Sequence, residues 1–354
     1  MNNRGPLTIA LVIATPGTGW GGMEKHTADL AEALAARGHA IHVLAHSAYS
    51  ERFSKPVLFH PLPFQLGRRN LWLRHRLQRT LRSIQPDIAH AQGNKAASLI
   101  SAMPHNGRAT VGTVHGTKSS HKAFNKLNGL IGVSREIIDS ARHPNARLIY
   151  NGLEPWQEKR SNPAQATDIP IPEERPLLLA AGRLEPVKQF DRLVRAWART
   201  GSAGKLVILG DGSQRPKLDA LVRELGAEDQ ILLPGHESGI LPWLKAATAC
   251  VISSNREGFP YIMVEALMAG CPVVSTPVSG VSDFLPPGCI SASDDVDDIA
   301  ELIRRTLADT SSLADLQSES FRQARTQLTL ATMVAKTEAF YRDLIASAST
   351  KHSP

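Results

Sequence analysis

The stretch Leu7-Thr-Ile-Ala-Leu-Val-Ile-Ala14 is a continuous apolar run, and the glycine-rich segment Thr15–Gly22 follows it directly. Residues Met23–Arg37 then have the pattern of a helix that closes at Gly38, and Ile41–Ala45 is a second apolar strand. Strand, glycine-rich turn, helix and strand together predict a βαβ unit. Strands that are apolar throughout are typical of a parallel sheet covered on both faces.

The second half of the chain repeats this pattern. Leu177–Ala181 is an apolar strand, the loop Gly182–Lys188 follows, and a helix around Phe190–Arg199 leads to the strand Leu206–Gly210. A chain of 354 residues accommodates two domains of about 150 residues each. The sequence therefore predicts an α/β protein with two Rossmann-like domains. Further short strands are expected at Ile88–Ala91, Thr110–His115, Leu130–Val133, Arg147–Tyr150, Ile231–Leu233, Ala249–Ser253 and Val273–Ser275.

Proline-rich sequence marks the boundary between the two halves. Five prolines fall between residues 154 and 176, namely Pro155, Pro163, Pro170, Pro172 and Pro176. We predict an N-terminal domain over 1–155, a linker over 156–175 and a C-terminal domain over 176–328. Residues 329–354 are expected to hold a final helix, Ala331–Ala346, and a tail.

Composition narrows the class of partner. The formal net charge is +7, which favours nucleotides, nucleic acid or an acidic membrane face without choosing among them. The three cysteines are odd in number and fit no zinc motif, so we interpret them as reduced thiols of a cytosolic protein. The run Leu7–Ala14 is better explained as a buried strand than as a signal peptide, and no segment has the roughly 18 apolar residues of a membrane-spanning helix.

The glycine-rich segment formally matches the dinucleotide-binding pattern G-x-G-x-x-G over Gly17–Gly22. That motif needs an acidic residue about 20 positions later to hold the ribose, but the second strand ends Leu44-Ala-His-Ser47. The interpretation as a dinucleotide-binding dehydrogenase therefore lacks the acidic residue that would hold the ribose. The turn can contact a phosphate through backbone N–H groups, or it can be a plain tight turn.

The segment Glu257-Gly-Phe-Pro-Tyr-Ile-Met-Val-Glu265 is the most informative. Pro260 suits the first turn of a helix that stops at Gly270. Glu265 lies among apolar residues, which predicts a buried carboxylate that needs hydrogen-bond donors. A pair of sugar hydroxyls would satisfy it, and so would a protein partner such as an arginine. Glu257 is either a ligand-binding residue or an ordinary surface acid.

Other polar residues also follow predicted strands. Arg183 and Lys188 can converge on one diphosphate, or they can be solvated loop charges. His115 ends a strand where side chains face the ligand edge of the sheet, although a lone histidine there more often has a structural role. We predict no metal site, because the acidic cluster at residues 294–298 precedes a helix and suits N-capping.

Taken together, these segments resemble family 4 of the retaining glycosyltransferases. The matching pieces occur in the family's order and cover most of the chain: Gly21-Gly-Met-Glu24, Thr113-Val-His115-Gly, Gly132-Val-Ser134, Tyr150-Asn-Gly-Leu-Glu154, Gly182-Arg-Leu-Glu-Pro-Val-Lys188, Gly210-Asp-Gly212 and the E-x7-E segment Glu257 to Glu265. The E-x7-E segment with Gly-Phe-Pro, preceded by the Arg/Lys segment, is the specific part. Ser279-Gly-Val-Ser-Asp283 departs from the family, which usually has a Gly pair followed by Glu.

The resemblance implies the GT-B fold, with two doubly wound Rossmann-like domains facing each other across a cleft and the C-terminal helix returning toward the N-terminal domain. It implies a retaining, metal-independent transfer of a hexose-type sugar from a nucleotide diphosphate sugar, with UDP favoured and no cofactor. The catalytic and donor-binding residues that it implies are His115, Arg183, Lys188 and Glu257, with Gly21, Gly22, Gly235, Gly258, Phe259, Pro260 and Glu265.

The resemblance also gives roles to these residues. Arg183 and Lys188 would stabilise the departing diphosphate, and Glu265 would hold the ribose hydroxyls. Glu257 and the backbone of 258–260 would hold the donor sugar, which His115 would touch near the reacting carbon. Gly21 and Gly22 would offer amides to the phosphates, and the chain near Gly235 would pass the base.

The acceptor side is suggested by a basic span. From Arg52 to Arg135 the chain has one acidic residue, Asp87, and a predicted amphipathic helix there presents Arg74, Arg76 and Arg79. Such a helix can lie on an anionic membrane or face a phosphorylated acceptor, or it can pack on its sheet with solvated arginines.

We therefore expect a glycan or lipid-linked acceptor, such as a lipopolysaccharide core intermediate, and a cytoplasmic enzyme at the inner face of the membrane. Alternative hypotheses are a nucleotide-sugar epimerase or hydrolase of the same fold, and a nucleic-acid-binding protein. The last lacks a recognisable reader motif, so we expect no nucleic acid partner.

Overall fold

The computed structural model describes residues 5–104, 106–117, 120–155, 169–237 and 239–350, without the side chains of 348–350. The chain divides into two compact units. The first comprises Met1–Leu153 together with Thr329–Pro354, and the second comprises Glu154–Leu328. The predicted linker falls largely on residues 156–168, and the predicted tail on residues 351–354, both outside the described residues.

The first unit contains a parallel seven-stranded sheet. Its strands are β1 (Thr8–Ile13), β2 (Ala40–Ala45), β3 (Val57–Pro61), β4 (Ile88–Gln92), β5 (Ala109–Val114), β6 (Gly129–Gly132) and β7 (Ala146–Leu148). The strand order is β3-β2-β1-β4-β5-β6-β7, so the direction of winding reverses between β1 and β4. Ligands of such sheets bind at the carboxyl ends of the strands beside this reversal. The helices are α1 (Gly22–Ala36), α2 (Leu71–Ile84), α3 (Gly93–Ile100), α4 (Arg135–Ala141) and the C-terminal helix.

That C-terminal helix, here α12 (Leu330–Thr350), contacts α1 and β5. Its Phe340 and Tyr341 belong to the same apolar core as Leu30 and Leu34 of α1. The chain therefore returns to its first unit after completing the second.

The second unit is built on a parallel five-stranded sheet in the order β10-β9-β8-β11-β12. The strands are β8 (Leu177–Ala181), β9 (Lys205–Leu209), β10 (Ile231–Gly235), β11 (Ala249–Ile252) and β12 (Val273–Ser275). The winding reverses between β8 and β11, so the carboxyl ends of these two strands form the expected ligand edge. The helices are α5 (Phe190–Thr200), α6 (Arg215–Glu224), α7 (Ile240–Ala246), α8 (Tyr261–Ala269), α9 (Val296–Ala308), α10 (Thr310–Leu316) and α11 (Ser318–Gln327).

The prediction of parallel α/β sheets is confirmed, because every strand pair in both sheets is parallel. Strand β3 was not predicted from the sequence. This strand lies at the edge of the sheet, its Leu58 side chain is exposed, and it ends at Pro61. An edge strand that mixes exposed and half-buried residues gives no continuous apolar run, so the pattern that predicts central strands did not identify it.

Candidate functional site

The second unit places Lys188 against Glu257. The Lys188 Nζ atom lies 2.6 Å from Glu257 Oε1, and both side chains are largely shielded, with 22% and 18% of their surface exposed. The Ser254 hydroxyl donates a second hydrogen bond to the same oxygen at 2.8 Å. The alternative of an ordinary surface acid does not describe Glu257, because a lysine and a hydroxyl already hold its carboxylate.

The sheet topology explains this meeting. Lys188 lies in the loop that follows β8, and Glu257 lies in the loop that follows β11, on neighbouring strands at the point where the winding reverses. The two loops are joined by the Asn255 N–H, which donates to the Val187 carbonyl at 3.1 Å, and by the Ser253 hydroxyl, which donates to the Lys188 carbonyl at 2.8 Å. The cation and the carboxylate are thus positioned by backbone contacts as well as by their own ion pair.

The loop that contains Lys188 packs closely against the backbone that follows β9. A Cβ atom on Gly210 would lie 2.0 Å from the Gly182 carbonyl oxygen, and Gly210 has a φ of +134°. Only glycine fits such an approach in that conformation. The Leu184 N–H donates to the Asp211 carbonyl at 2.9 Å, which joins the loops after β8 and β9. The Gly-Asp-Gly segment therefore supports the diphosphate-binding candidate loop.

The prediction that Glu265 is a buried carboxylate is wrong. The residue is half-buried, as are Tyr261, Met268 and Ala269, whereas the rest of α8 up to Leu267 is buried. These residues recur at helical spacing, so α8 has one partly open face although its sequence is apolar on nearly every side. The Glu265 carboxylate also helps to raise the pKa of the Cys250 thiol, after burial and the neighbouring Cys271. Glu265 is therefore a half-buried acid that lies within electrostatic reach of Cys250 in β11.

The turn before α8 is held by an aromatic contact. Gly258, Phe259 and Pro260 are all buried, and the Phe259 ring packs edge-on against Phe284 with centroids 5.7 Å apart. A Cβ atom on Gly280, at a φ of +86°, would lie 2.5 Å from the Phe259 ring. Pro260 is the N-cap of α8 rather than a first-turn residue, and the helix closes at Gly270 as expected.

The remaining candidate residues of this unit lie on the same edge. Arg183 is exposed in the loop after β8. Gly235 ends β10, and its carbonyl accepts from the Gly210 N–H at 2.7 Å. The structure therefore places Arg183 and Lys188 in the loop after β8, Gly235 at the end of β10 and Glu257 in the loop after β11. Asp283, the departure from the family pattern, is half-buried and is the last residue of a short helical turn.

The first unit holds His115 in a chain of polar residues. His115 directly follows β5, and its Nε2 atom lies 2.6 Å from Oε1 of Gln92, the last residue of β4. Its ring packs edge-on against the buried His26 ring of α1, with centroids 4.7 Å apart. His26 Nδ1 in turn lies 3.0 Å from the Asn151 side-chain oxygen. Because amide oxygens only accept hydrogen bonds, His115 Nε2 donates to Gln92 and His26 Nδ1 donates to Asn151.

The series of polar residues continues at His90, which lies in β4 inside the sheet. Its two ring nitrogens lie 2.6 Å from the Tyr341 hydroxyl and 2.7 Å from the Thr113 hydroxyl. Burial lowers the pKa of His90 to about 3, with a further contribution from His26. Burial also lowers the pKa of His26 to about 4, against the opposing effect of its bond to Asn151. Both rings are therefore neutral near pH 7.

The glycine-rich turn of this unit is fixed by aromatic residues. The Tyr49 hydroxyl donates to the Gly19 carbonyl at 2.7 Å, and the Trp20 ring packs edge-on against Tyr49 with centroids 5.5 Å apart. The Gly21 N–H donates to the Glu24 carboxylate at 3.1 Å. This bond disagrees with the expectation that Gly21 offers its amide to a phosphate, because a carboxylate already occupies that donor. Gly22, the first residue of α1, keeps the assignment.

The basic helix α2 matches its predicted orientation. Leu73, Leu77 and Leu81 are fully buried, while Arg76 and Arg79 are exposed and Arg74 is half-buried. Two apolar residues at its start are also exposed, Leu71 at 77% and Trp72 at 55%. The Arg76 guanidinium lies over the Trp72 ring, 5.6 Å from its centroid.

The partners of His115 were not predicted from the sequence. Gln92 could have been found, because it follows an apolar strand at the reversal of the sheet in the same way as His115 follows β5. Asn151 was quoted only as part of the motif Tyr150–Glu154, without a role of its own. His26 and His90 lie inside a helix and a strand with nothing in their spacing to mark them.

The described residues contain no group of three or more histidine, cysteine, aspartate or glutamate side chains arranged to hold a metal ion. No helix among them is both long and apolar enough to span a membrane. The three cysteines are free and buried.

Both units match family models of known glycosyltransferases. Residues 20–157 match the family model Glycosyltransferase Family 4, and residues 161–323 match the model Glycosyl transferases group 1. The chain is 37% identical over 131 residues to the lipopolysaccharide 1,6-galactosyltransferase of Salmonella typhimurium, which is 34% of this chain and 36% of that one. It is 26% identical to the N-acetyl-alpha-D-glucosaminyl L-malate synthase of Bacillus anthracis, over 73% of this chain and 77% of that one.

Solved structures agree with the fold. The Anabaena protein HepE, solved in complex with UDP and glucose, has a TM-score of 0.77 at 18% identity, over 94% of this chain and 98% of that one. The chain spans only 27%, 28% and 36% of the length of three curated relatives that it matches. The two Rossmann-like parallel-sheet units have the GT-B glycosyltransferase fold. The two glycosyltransferase family models, over residues 20–157 and 161–323, together cover most of the chain, and the chain belongs to the family 4 glycosyltransferases.

Proposed function

We propose that this protein is a retaining, metal-independent glycosyltransferase. It moves a hexose-type sugar from a nucleotide diphosphate sugar, with UDP favoured, to a glycan or lipid-linked acceptor of the cell surface, such as a lipopolysaccharide core intermediate. The observation that supports this most strongly is the Lys188–Glu257 pair at the ligand edge of the second unit. A shielded cation held beside an acid suits a diphosphate next to the hydroxyls of a sugar.

In the proposed reaction the bond between the sugar and the diphosphate breaks through an oxocarbenium-like state. Negative charge grows on the departing diphosphate, and Lys188 and Arg183 stabilise it electrostatically. Glu257 accepts from sugar hydroxyls, and Glu265, on the open face of α8, accepts from the ribose hydroxyls. The acceptor attacks the same face of the sugar that the diphosphate leaves, and the donor phosphate takes its proton. No protein nucleophile takes part.

Relatives support the choice of substrate class. One is named for galactosyl transfer in lipopolysaccharide, and HepE was solved with UDP and glucose. The net charge of +7 suits an anionic donor and an anionic acceptor.

A binding screen with a chelator present tests the donor assignment. Purified protein is titrated with UDP-, GDP- and ADP-sugars, and the heat of binding is measured for wild type and for Glu265→Ala. We expect binding of one nucleotide class, weakened roughly 10- to 100-fold by the substitution, because hydrogen bonds to a charged group contribute ~1.5–3 kcal/mol. Normal binding by Glu265→Ala would remove this residue from the site, and indifference to all three classes would remove the donor assignment.

Product analysis then separates the alternatives. Incubation with the bound nucleotide sugar and an acceptor gives a new glycoside whose anomeric configuration is read by NMR. Retention of the donor configuration is expected. An altered sugar nucleotide or free sugar formed without an acceptor would identify an epimerase or a hydrolase instead.

We also propose that the enzyme works on the cytoplasmic side, in peripheral contact with an anionic membrane. The exposed Arg76 and Arg79 and the exposed Leu71 and Trp72 on α2 support this contact, since arginines attract anionic lipid and a tryptophan suits the interface. Co-sedimentation with phosphatidylglycerol vesicles should fall when Arg74, Arg76 and Arg79 are reversed to Glu. Unchanged sedimentation of that variant would contradict the proposal.

A further inference from the structure

A cavity of about 420 Å³ lies on the first unit, outside the polar chain of His115. One wall is a single face of α3, formed by Asn94, Ser98 and Ser101, which are spaced four and three residues apart. Such spacing aligns side chains along one side of a helix. The volume is within the range of small-molecule sites, roughly 300–1,000 Å³.

The other walls supply positive charge. Arg68, from the loop before α2, and Lys122 and Lys126, from the segment before β6, line the cavity and are exposed. Within the part of the chain that the structure describes, no carboxylate lines the cavity, and none of these three cations has an ion-pair partner.

The sequence around the cavity offers little neutralising charge. Asp87 is the single acid between Arg52 and Arg135, and its carboxylate already accepts from the Thr8 N–H at 2.8 Å, at the amino end of β1. Three uncompensated cations with hydroxyl and amide donors beside them match a group with several negative charges and tetrahedral oxygens. A carboxylate ligand carries one negative charge and would leave most of this positive charge without a counter-charge.

The cavity also begins near the candidate site. Asn94 lies two residues after Gln92, whose amide oxygen holds His115 at 2.6 Å. From there α3 carries the donor groups of Ser98 and Ser101 away from the carboxyl end of the sheet. A ligand that reaches His115 can therefore extend along α3 to the cations.

We propose that this cavity binds the phosphate or diphosphate group of the acceptor. This inference rests on the proposed function, because it assumes that the protein has a glycan acceptor. It adds the chemical class of that acceptor, which is a sugar chain that carries a phosphate ester. The phosphate belongs either to a lipid diphosphate or to a phosphorylated sugar, and the chemistry that recognises it is the same in both.

The test uses inorganic pyrophosphate as the probe on the full chain, with excess UDP present to fill the donor site. The charge-removing variant is Lys122→Gln/Lys126→Gln. Its matched control is Lys55→Gln/Lys336→Gln, which removes the same charge from exposed positions of the same unit. Calorimetry should give a pyrophosphate dissociation constant raised at least about tenfold by the first pair and less than about twofold by the second.

Equal weakening by both pairs, or no weakening by Lys122→Gln/Lys126→Gln, would overturn the proposal. So would equally tight binding of a random single-stranded oligonucleotide that depends on the same two lysines. UDP binding is measured separately in every variant and should not change. Wild-type protein that binds pyrophosphate in this cavity but does not bind UDP would defeat the proposed function and leave an anion site without an acceptor role.

Two further arms identify the source of the phosphate. A soluble hexose phosphate is titrated in one, and phosphatidylcholine vesicles with and without a polyprenyl diphosphate are used in the other. The ligand whose binding is lost in Lys122→Gln/Lys126→Gln and kept in Lys55→Gln/Lys336→Gln is the acceptor class. Failure of both ligands to show this difference would overturn the acceptor assignment.

Discussion

The two units place polar residues at the carboxyl ends of their sheets in opposite ways. In the second unit Lys188 and Glu257 are charged and about four-fifths shielded, and Arg183 is exposed beside them. In the first unit His26 and His90 are buried and neutral, and each is held by hydrogen bonds to uncharged side chains rather than by an ion pair. A charged edge binds an anion, whereas a neutral hydrogen-bonded chain orients one side chain, His115, with little electrostatic cost.

Removal of Lys188 should have the largest effect on this contrast. We expect Lys188→Ala to lower kcat/KM by ~10²–10³-fold, as when one electrostatic contact to a transition state is lost. The matched control is Lys217→Ala, which breaks an ion pair with Asp191 on the exposed surface of the same unit. Steady-state kinetics should leave the control within about twofold, because exposed ion pairs contribute little. Similar losses in both variants would mean that the charged edge has no special role.

Replacement of Gln92 tests the neutral chain. We expect Gln92→Leu to lower kcat about tenfold and to change the donor KM by less than twofold, because His115 loses the oxygen that orients it. Gln92→Glu keeps an acceptor oxygen at this position and should restore most of kcat, with an altered pH profile, since a carboxylate favours protonation of His115. A Leu variant with full activity, or a Glu variant as impaired as Leu, would show that His115 is not positioned in this way.

The smallest of the predicted effects is the pH dependence of the free energy of unfolding, which is weak near neutral pH. The folded-state pKa of about 4 for His26 and about 3 for His90 both lie below the ordinary value of 6.5. The unfolded chain therefore binds more protons between these values, so the stabilisation is complete above pH 6.5 and declines as the pH falls toward 4 and 3. Each pKa unit corresponds to ~1.4 kcal/mol.

Hydrogen exchange measures this decline locally. Between pH 7 and pH 4.5 the amides of β4 should lose protection after correction for the intrinsic exchange rate, while those of β9 change less. His90→Gln should be less stable at pH 7 and should show a shallower decline. Parallel behaviour of β4 and β9 in wild type would argue against a titration centred on the buried histidines.

Much of the fold followed from the sequence because central parallel strands are apolar throughout. Leu7–Ala14 and Leu177–Ala181 predicted their strands, and the glycine-containing loops after them indicated the ligand edges. Edge strand β3 escaped because one of its faces meets solvent. Glu265 was assigned too deep a position, because an apolar sequence does not reveal which face of a helix the neighbouring elements leave uncovered.

The sequence by itself determined the two parallel α/β sheets and the identities of Lys188, Glu257 and His115 as candidates, since these depend on local patterns and family motifs. Only the tertiary structure decided that Lys188 meets Glu257, that Gln92 holds His115, and that Arg68, Lys122 and Lys126 line one cavity. These pairs lie far apart in the chain, and their meeting depends on strand order, which places the ends of β8 and β11 side by side, and likewise those of β4 and β5.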